Sequence, residues 1–246
     1  SACLFALSAV AALAEQPWVP LFNGENLDGW TPKISGHPPG ENFANTFRVV
    51  DGMIQVSYQD YEKFNAQYGH LFTNIAYSHY ILRLEYRFTG KMMADAPRYV
   101  NLNSGVMIHS QTPQSMGLNQ GFPASMEVQF LADEGKGARS TGNLCTPGTF
   151  VSRGGKEDKT HCINSTEPTK PVGEWVKAEA EVHGGKLVKH LINGKAVPGR
   201  DYFETVNPAT QDVLAEVASG GEAEVNAAVA HLVLHVENDQ SQIGRA

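Results

Sequence analysis

The clearest secondary-structure signal in the chain is the stretch YILRLEYRF, residues 80–88. Aromatic and aliphatic side chains occupy its even positions, whereas Ile81, Arg83, Glu85 and Arg87 occupy the odd ones. Successive side chains of a strand point to opposite faces of its sheet, so this period of two predicts a strand with one buried face. The even face should pack on a core, and the odd face should be largely polar.

The same alternation recurs on both sides of this stretch. It predicts strands at residues 47–50, 53–56, 71–73, 104–109, 125–131, 175–182 and 187–192. Asp51-Gly52 and Asn193-Gly194 are strong signals for tight hairpin turns. Residues 132–169 are rich in Gly, Thr and charge and are predicted to be a loop. Many short strands separated by turns indicate an all-β sandwich or jelly roll.

Composition agrees with this fold class and excludes one class of partner. Only 18% of the residues are charged, and the chain has 24 Gly and 13 Pro, which suits a turn-rich β protein. The net charge is −7 without any cluster of Lys or Arg. Binding of nucleic acid needs a basic face for the phosphates, so no nucleic-acid partner is expected.

Residues 1–16 are predicted to be the remnant of a signal peptide. They form an uncharged apolar run that closes with Ala12-Leu13-Ala14, a small-x-small cleavage pattern, before Glu15-Gln16. The run is shorter than the roughly 20 apolar residues of a spanning helix, so the mature chain is expected to have no transmembrane segment. A buried core helix is the alternative interpretation. We expect the protein to be secreted or periplasmic.

Cys145 and Cys162 form an even pair once Cys3 has left with the signal peptide. In an oxidising compartment such a pair is expected to form a disulfide, which would stabilise the fold by roughly 3 kcal/mol. A metal site made of Cys145, His161 and Cys162 is an alternative, although the spacing matches neither CxxC nor HxxxH. Two free thiols are the other alternative.

An ordered series of blocks resembles the 3-keto-disaccharide hydrolase family. The blocks are LFNGENLDGW (21–30), VDGMI (50–54), GHLFT (69–73), LEYR (84–87), NSGV (103–106), MEVQ (126–129), TGNLC (141–145), GEW (173–175) and LINGK (191–195). The resemblance implies a concanavalin A-like lectin/glucanase fold. It also implies an exported protein that acts on, or binds, oxidised glycosides.

The resemblance to that family stops near Lys195, which leaves open whether the sandwich is complete at its C-terminal end. The stretch of about residues 190–230 is similar to the N-terminal segment of aldehyde dehydrogenases. It lacks their cofactor domain and nucleophilic Cys, so that chemistry is not expected. We therefore divide the chain into a signal peptide remnant (1–16), the concanavalin A-like domain (17–197) and a foreign or aldehyde-dehydrogenase-like tail (198–246).

Enzymes that cleave sugars commonly use two carboxyl groups, and the predicted strands offer Glu85 and Glu127. Each shares a strand face with a polar partner, Arg87 for the first and Gln129 for the second. A polar face of a sheet can also be merely solvated, and an ion pair would explain Glu85 with Arg87 equally well.

A 3-keto sugar allows a different route, in which a base removes the acidified C2 proton, the C1 substituent leaves and water adds back. Such a route needs a base of suitable pKa and a group that stabilises the enolate. Glu127 and His109 are the candidate bases, and Arg87, His70 or a bound divalent cation are candidates for the stabilising group. No cofactor is otherwise expected.

The sequence thus predicts an exported hydrolase or lyase acting on 3-keto sugars, with a carbohydrate or oxidised glycoside as its partner. The predicted catalytic residues are Glu127, His109, Glu85 and Arg87, and the predicted substrate-binding residues are Gln129, His70 and Asn103. A non-catalytic carbohydrate-binding module of the same fold is the alternative. Trp30 and Trp175 could stack on sugar rings, but we expect them to anchor the core.

Overall fold

The computed structural model describes residues 18–153, 156–185, 187–196, 203–206, 213–217 and 230–240. The predicted signal peptide remnant lies outside these residues. The described part of the chain is all-β, with three short 3₁₀ helices at Phe43–Asn45, Arg98–Val100 and Pro113–Ser115. The predicted fold class, a concanavalin A-like sandwich, is confirmed.

The strands are β1 (Trp18–Pro20), β2 (Trp30–Ile34), β3 (Phe47–Val50), β4 (Met53–Ser57), β5 (Gly69–Thr73), β6 (His79–Gly90), β7 (Asn103–Ile108), β8 (Met126–Leu131), β9 (Asn143–Cys145), β10 (Phe150–Arg153), β11 (Lys156–Asp158), β12 (Cys162–Ile163), β13 (Val176–His183), β14 (Leu187–Ile192), β15 (Lys195–Ala196), β16 (Phe203–Val206), β17 (Val213–Val217) and β18 (Ala230–Gln240). All seven further stretches predicted from alternation, like residues 80–88, lie on strands of this set.

The strands form three sheets. The largest has the order β11-β10-β16-β17-β14-β13-β6-β18-β4-β3, with β1 paired to β18 and β15 to β14. A second sheet has the order β12-β9-β8-β7, and a third consists of β2 and β5. Within the first sheet β6 pairs antiparallel with β13, and within the second β7 pairs antiparallel with β8.

The core lies between the largest sheet and the four-stranded sheet. The even-numbered side chains of β6, from Leu82 to Phe88, are buried against apolar side chains of β8. Tyr86 stacks on Phe130 with ring centroids 4.3 Å apart. The period of two in residues 80–88 thus reports a half-buried strand, and the odd-numbered side chains face away from the core.

The two predicted hairpin turns are present. Asp51 and Gly52 join β3 to β4, and both have positive φ, 51° and 74°. Asn193 and Gly194 join β14 to β15 with φ of 50° and 75°. Two consecutive residues with positive φ match the right-handed twist of the flanking strands, which is why Asn or Asp followed by Gly favours this turn.

The predicted loop at residues 132–169 is wrong, because β9 to β12 lie within it. These strands have two to four residues each, too few to display a period. All three residues of β9 are buried, so polar and apolar residues do not alternate between an exposed and a buried face. A short strand buried on both faces leaves little trace in a sequence.

Strands also form in the predicted tail. The backbones of β16 and β17 pair with each other, and β18 runs parallel between β6 and β4. Its register with β6 extends from Ala230 opposite Tyr80 to Gln240 opposite Gly90. The tail therefore supplies strands to the sheet whose completeness the sequence left open. The domain boundary between residues 197 and 198 stays a prediction.

Candidate functional site

A cavity of about 1240 Å³ is lined by Gly105 of β7 and by Glu127 and Gln129 of β8, and it also reaches core residues such as Leu82. Residues of β2 and β5 also line it, together with the loop that follows β7. Small-molecule sites usually measure about 300–1,000 Å³. The cavity therefore has room for a ligand of at least disaccharide size.

Glu127 is the carboxylate in this cavity. Its neighbours on β8, Met126 and Val128, point into the core, so the alternation of the strand turns Glu127 to the cavity side. The side chain is only 8% exposed. Burial raises the pKa of its carboxyl to about 7, since the charged form loses hydration. A carboxylate of this kind is half ionised near neutral pH and is a stronger base than an ordinary glutamate.

Gly105 makes room for the Glu127 side chain. It lies on β7, the strand paired with β8. A Cβ atom on Gly105 would lie 2.5 Å from Oε1 of Glu127 and 2.8 Å from its Cγ. Real Cβ contacts of this length essentially do not occur. Glycine is therefore needed at this position if the carboxylate is to keep its place.

His109 also lines the cavity, at the first residue after β7. Its φ of 50° is uncommon for a residue with a side chain. Burial lowers the pKa of the ring, and a hydrogen bond with Gly184 acts in the opposite direction. Its Nε2 is buried and finds no hydrogen-bond partner among the described residues. The ring is therefore uncharged at neutral pH.

The three predicted substrate-binding residues, Gln129, His70 and Asn103, line the same cavity. His70 Nε2 lies 2.7 Å from the Gly121 carbonyl oxygen, so this nitrogen carries the hydrogen and Nδ1 is an acceptor. Burial lowers the pKa of His70 to about 4. Asn103 donates from Nδ2 to the carbonyl of Tyr99 at 2.9 Å.

Glu85 and Arg87 are not part of this constellation. Both lie on the odd face of β6, away from the core, and neither lines the cavity. Glu85 forms an ion pair with Lys177 at 3.3 Å, and the guanidinium of Arg87 lies 4.7 Å from the ring centre of Trp175. The expected pairing of Glu85 with Glu127 as two carboxylates of one site is therefore wrong, because the core separates them.

The two tryptophans also differ from expectation. Trp175 is 40% exposed and does not anchor the core. Trp30 lines the cavity, and its indole Nε1 is buried with no hydrogen-bond partner among the described residues. An unpaired buried donor in a cavity is suited to a ligand hydroxyl. The opening block of the family resemblance thus contributes to the site as well as to the fold.

One wall of the cavity is aromatic and was not predicted from the sequence. Tyr68, Tyr99 and Phe122 all line it, and the rings of Tyr68 and Phe122 are 4.6 Å apart. Tyr99 and Phe122 are 57% and 38% exposed. They lie outside the strands, where no period marks the direction of a side chain, so only the tertiary structure reveals them.

Cys145 and Cys162 lie opposite each other on β9 and β12, with Sγ atoms 2.07 Å apart, at the distance of a disulfide. Among the residues that the structure describes, no group of three or more His, Cys, Asp or Glu side chains is arranged to hold a metal ion. The described helices include none that is long and apolar enough to cross a membrane.

Comparison with known proteins identifies two similarities. The model of the 3-keto-alpha-glucoside-1,2-lyase-like domain family matches residues 17–238. A 5-carboxymethyl-2-hydroxymuconate semialdehyde dehydrogenase from Escherichia coli is 71% identical over 45 residues, which are 18% of this chain. The match spans only 10% of that dehydrogenase, and it accords with the similarity noted in the predicted tail.

Proposed function

Since the chain belongs to the 3-keto-alpha-glucoside-1,2-lyase-like family, we propose that it cleaves 3-keto glycosides with Glu127 as the base that removes the C2 proton. The observation that carries this proposal is a buried carboxylate with a pKa of about 7 in a cavity of sugar size. The membership itself supports a glycoside-processing enzyme or carbohydrate-binding domain.

The reaction follows from the acidity of the hydrogen next to the C3 carbonyl. Glu127 takes the C2 proton, and the electron pair passes into an enolate and then into a C1–C2 double bond as the C1–O bond breaks. The leaving oxygen takes one proton from water, and Glu127 releases its proton to water, so that no net proton is gained or lost. This elimination yields an unsaturated keto sugar and a free alcohol, and it consumes no water.

Addition of water would complete a net hydrolysis. A water molecule attacks C1 and C2 regains a proton, which gives the free 3-keto sugar. His109, which also lines the cavity, is the proposed acceptor for the proton of that water, and burial lowers its pKa and keeps the ring neutral at pH 7. Its Nε2 has no hydrogen-bond partner among the described residues.

The other polar groups of the cavity would orient the sugar. Nδ1 of His70 is an acceptor, and the indole nitrogen of Trp30 is a donor. Gln129 and Asn103 add amide groups on β8 and at the start of β7. Together they offer donors and acceptors to a ring that carries several hydroxyls.

We propose further that Cys145 and Cys162 form a disulfide in an exported protein. The supporting observation is their position opposite each other on neighbouring strands. Alkylation of the folded, unreduced protein followed by peptide mass analysis should leave both residues unlabelled. Labelling of either one would contradict the disulfide.

Turnover of a 3-keto disaccharide by the purified chain is the direct test of the enzymatic function. Mass spectrometry should detect the released sugar. The absorbance of the unsaturated keto sugar should rise first and then fall as water adds to its double bond. Saturable binding without any turnover would instead identify a carbohydrate-binding module. The rate should fall about tenfold for each pH unit below 7, because only the ionised form of Glu127 acts as a base.

A further inference from the structure

Asn143 has its side-chain amide fixed in one orientation. It lies on β9 and is only 2% exposed. Its Oδ1 accepts hydrogen bonds from the backbone N–H of Ser165 at 2.9 Å and from the Ser140 hydroxyl at 2.8 Å. Its Nδ2 donates to the backbone carbonyl of Ser140 at 3.0 Å. A peptide N–H only donates and a carbonyl only accepts, so these two backbone contacts decide which end of the amide is which.

The orientation of Asn143 in turn decides that of Gln129. Nδ2 of Asn143 donates to Oε1 of Gln129 at 2.9 Å. The amide nitrogen of Gln129 is therefore the end that remains for the cavity, which Gln129 lines. Within the described part of the chain, this nitrogen donates to no protein acceptor.

Gln129 and Glu127 lie on the same face of β8, two residues apart, which places their Cα atoms about 7 Å from each other. In a 3-keto sugar the acidic C2–H and the C3 carbonyl belong to neighbouring ring atoms. A base and a donor on neighbouring positions of one strand face match that arrangement. The donor would meet the oxygen that becomes negative as the proton is removed.

We propose that Asn143 is a positioning residue that holds the Gln129 amide with its N–H group toward the cavity, where it stabilises the enolate oxygen at C3. This inference rests on the proposed function. Without Asn143 the amide of Gln129 could present its oxygen instead, and an oxygen would repel the developing charge. The carboxylate of Glu127 would then act without its stabilising donor.

Replacement of Asn143 by Asp gives a sharp test. Asn143→Asp keeps an acceptor for Ser165 and Ser140, but its second oxygen can only accept from Gln129, so the Gln129 amide turns its own oxygen to the cavity. We expect kcat for the 3-keto disaccharide to fall about 10²–10³-fold, as for loss of one oxyanion donor, with KM changed less than about threefold. The exposed Asn164→Asp in a neighbouring loop is the charge-matched control and should stay within about twofold of the native rate.

A double variant separates positioning from a merely structural role. Gln129→Ala should lose about as much kcat as Asn143→Asp, and the combination should lose little more, because both remove the same donor. Full additivity, or a native kcat in a folded Asn143→Asp protein, would overturn the inference. A thermal melt of each variant establishes that it is folded.

Failure of the proposed function is distinguishable from failure of this inference. If the native protein does not turn over any 3-keto glycoside, the function fails while the amide orientation can still be measured. Neutron diffraction on native crystals exchanged into D₂O locates the deuterons of both amides. Deuterons on a Gln129 amide nitrogen that faces the cavity support the inference. A Gln129 amide nitrogen that instead donates its deuterons to Asn143 refutes it.

Discussion

Glu127 on β8 and Glu85 on β6 both come from strands with alternating side chains, and both face away from the core between the sheets. Glu127 lies in a cavity that β2 and β5 also line, and its pKa is raised to about 7. Glu85 has 30% of its side chain exposed and pairs with Lys177 on the neighbouring strand. The same sequence pattern thus produces a buried carboxyl with a raised pKa on one outer face and an ordinary surface ion pair on the other.

The cover over a sheet face, and not the pattern along the strand, therefore decides what a carboxylate can do. Removal of water raises the free energy of the charged form at Glu127. At Glu85 both water and the ammonium group of Lys177 remain in contact with the carboxylate and stabilise its charged form. The substitutions below test this contrast, and the one with the greatest expected loss comes first.

Replacement of each carboxylate by its amide is the strongest test. Glu127→Gln should lower the rate of elimination from a 3-keto glycoside by about 10³-fold or more, since general base catalysis typically contributes 10²–10⁴-fold. Glu85→Gln is the matched control on the other face and should change the rate less than about twofold. An equal loss of kcat in the two folded variants would contradict the claim that only the carboxylate in the cavity takes part in the reaction.

Gly105→Ala tests whether the position of Glu127 matters as much as its pKa. The new Cβ would lie 2.5 Å from Oε1 of Glu127, so the carboxylate must move. A displacement of about 1 Å can cost 10²-fold in rate, and we expect a fall in kcat of about 10- to 100-fold. Gly117→Ala is the control, because a Cβ there meets nothing closer than 3.8 Å. A native kcat for Gly105→Ala would contradict this account.

The buried carboxylate should also cost stability. The folded pKa of Glu127 is about 7 against an ordinary value of 4.5, so the folded state holds the proton more tightly than the unfolded state. Glu127 therefore carries no penalty below pH 4.5, where it is protonated in both states. The free energy of unfolding falls as pH rises through 7 and the buried carboxyl ionises. Glu127→Gln should therefore be more stable than the native protein at pH 8, by at most about 3 kcal/mol.

Denaturant unfolding of Glu127→Gln and native protein at pH 4 and pH 8 measures this difference. The gain should appear at pH 8 and vanish at pH 4. Glu85→Gln removes a paired carboxylate and should show no gain at either pH. A native protein that is as stable as Glu127→Gln at pH 8 would show that Glu127 is not strained by burial.

The smallest effect is expected at the ion pair on the exposed face. Lys177 is 69% exposed at its side chain, and exposed pairs contribute roughly 0–1 kcal/mol. Lys177→Ala should therefore lower the free energy of unfolding by less than about 1 kcal/mol, and the loss should shrink further in high salt. A loss of several kcal/mol would mean that this face is less open to water than its exposure indicates.

Part of the site was predictable because it depends on local periodicity. Glu127 and Gln129 share one strand face in the sequence pattern and in the structure. The roles of Asn143, Gly105 and Trp30 were not predictable in this way. Asn143 acts on a residue of the neighbouring strand, and Gly105 matters only because Glu127 lies over it.

The all-β class, most of the strands and the two hairpin turns were predictable, because each follows from local alternation or from residues that accept positive φ. Three features emerged from the folded arrangement instead: Glu85 and Glu127 lie on opposite outer faces, β9 to β12 form in an apparent loop, and one carboxylate is buried. Burial depends on residues far apart along the chain, and desolvation sets the pKa of Glu127. A pattern of period two carries no information about what covers a face.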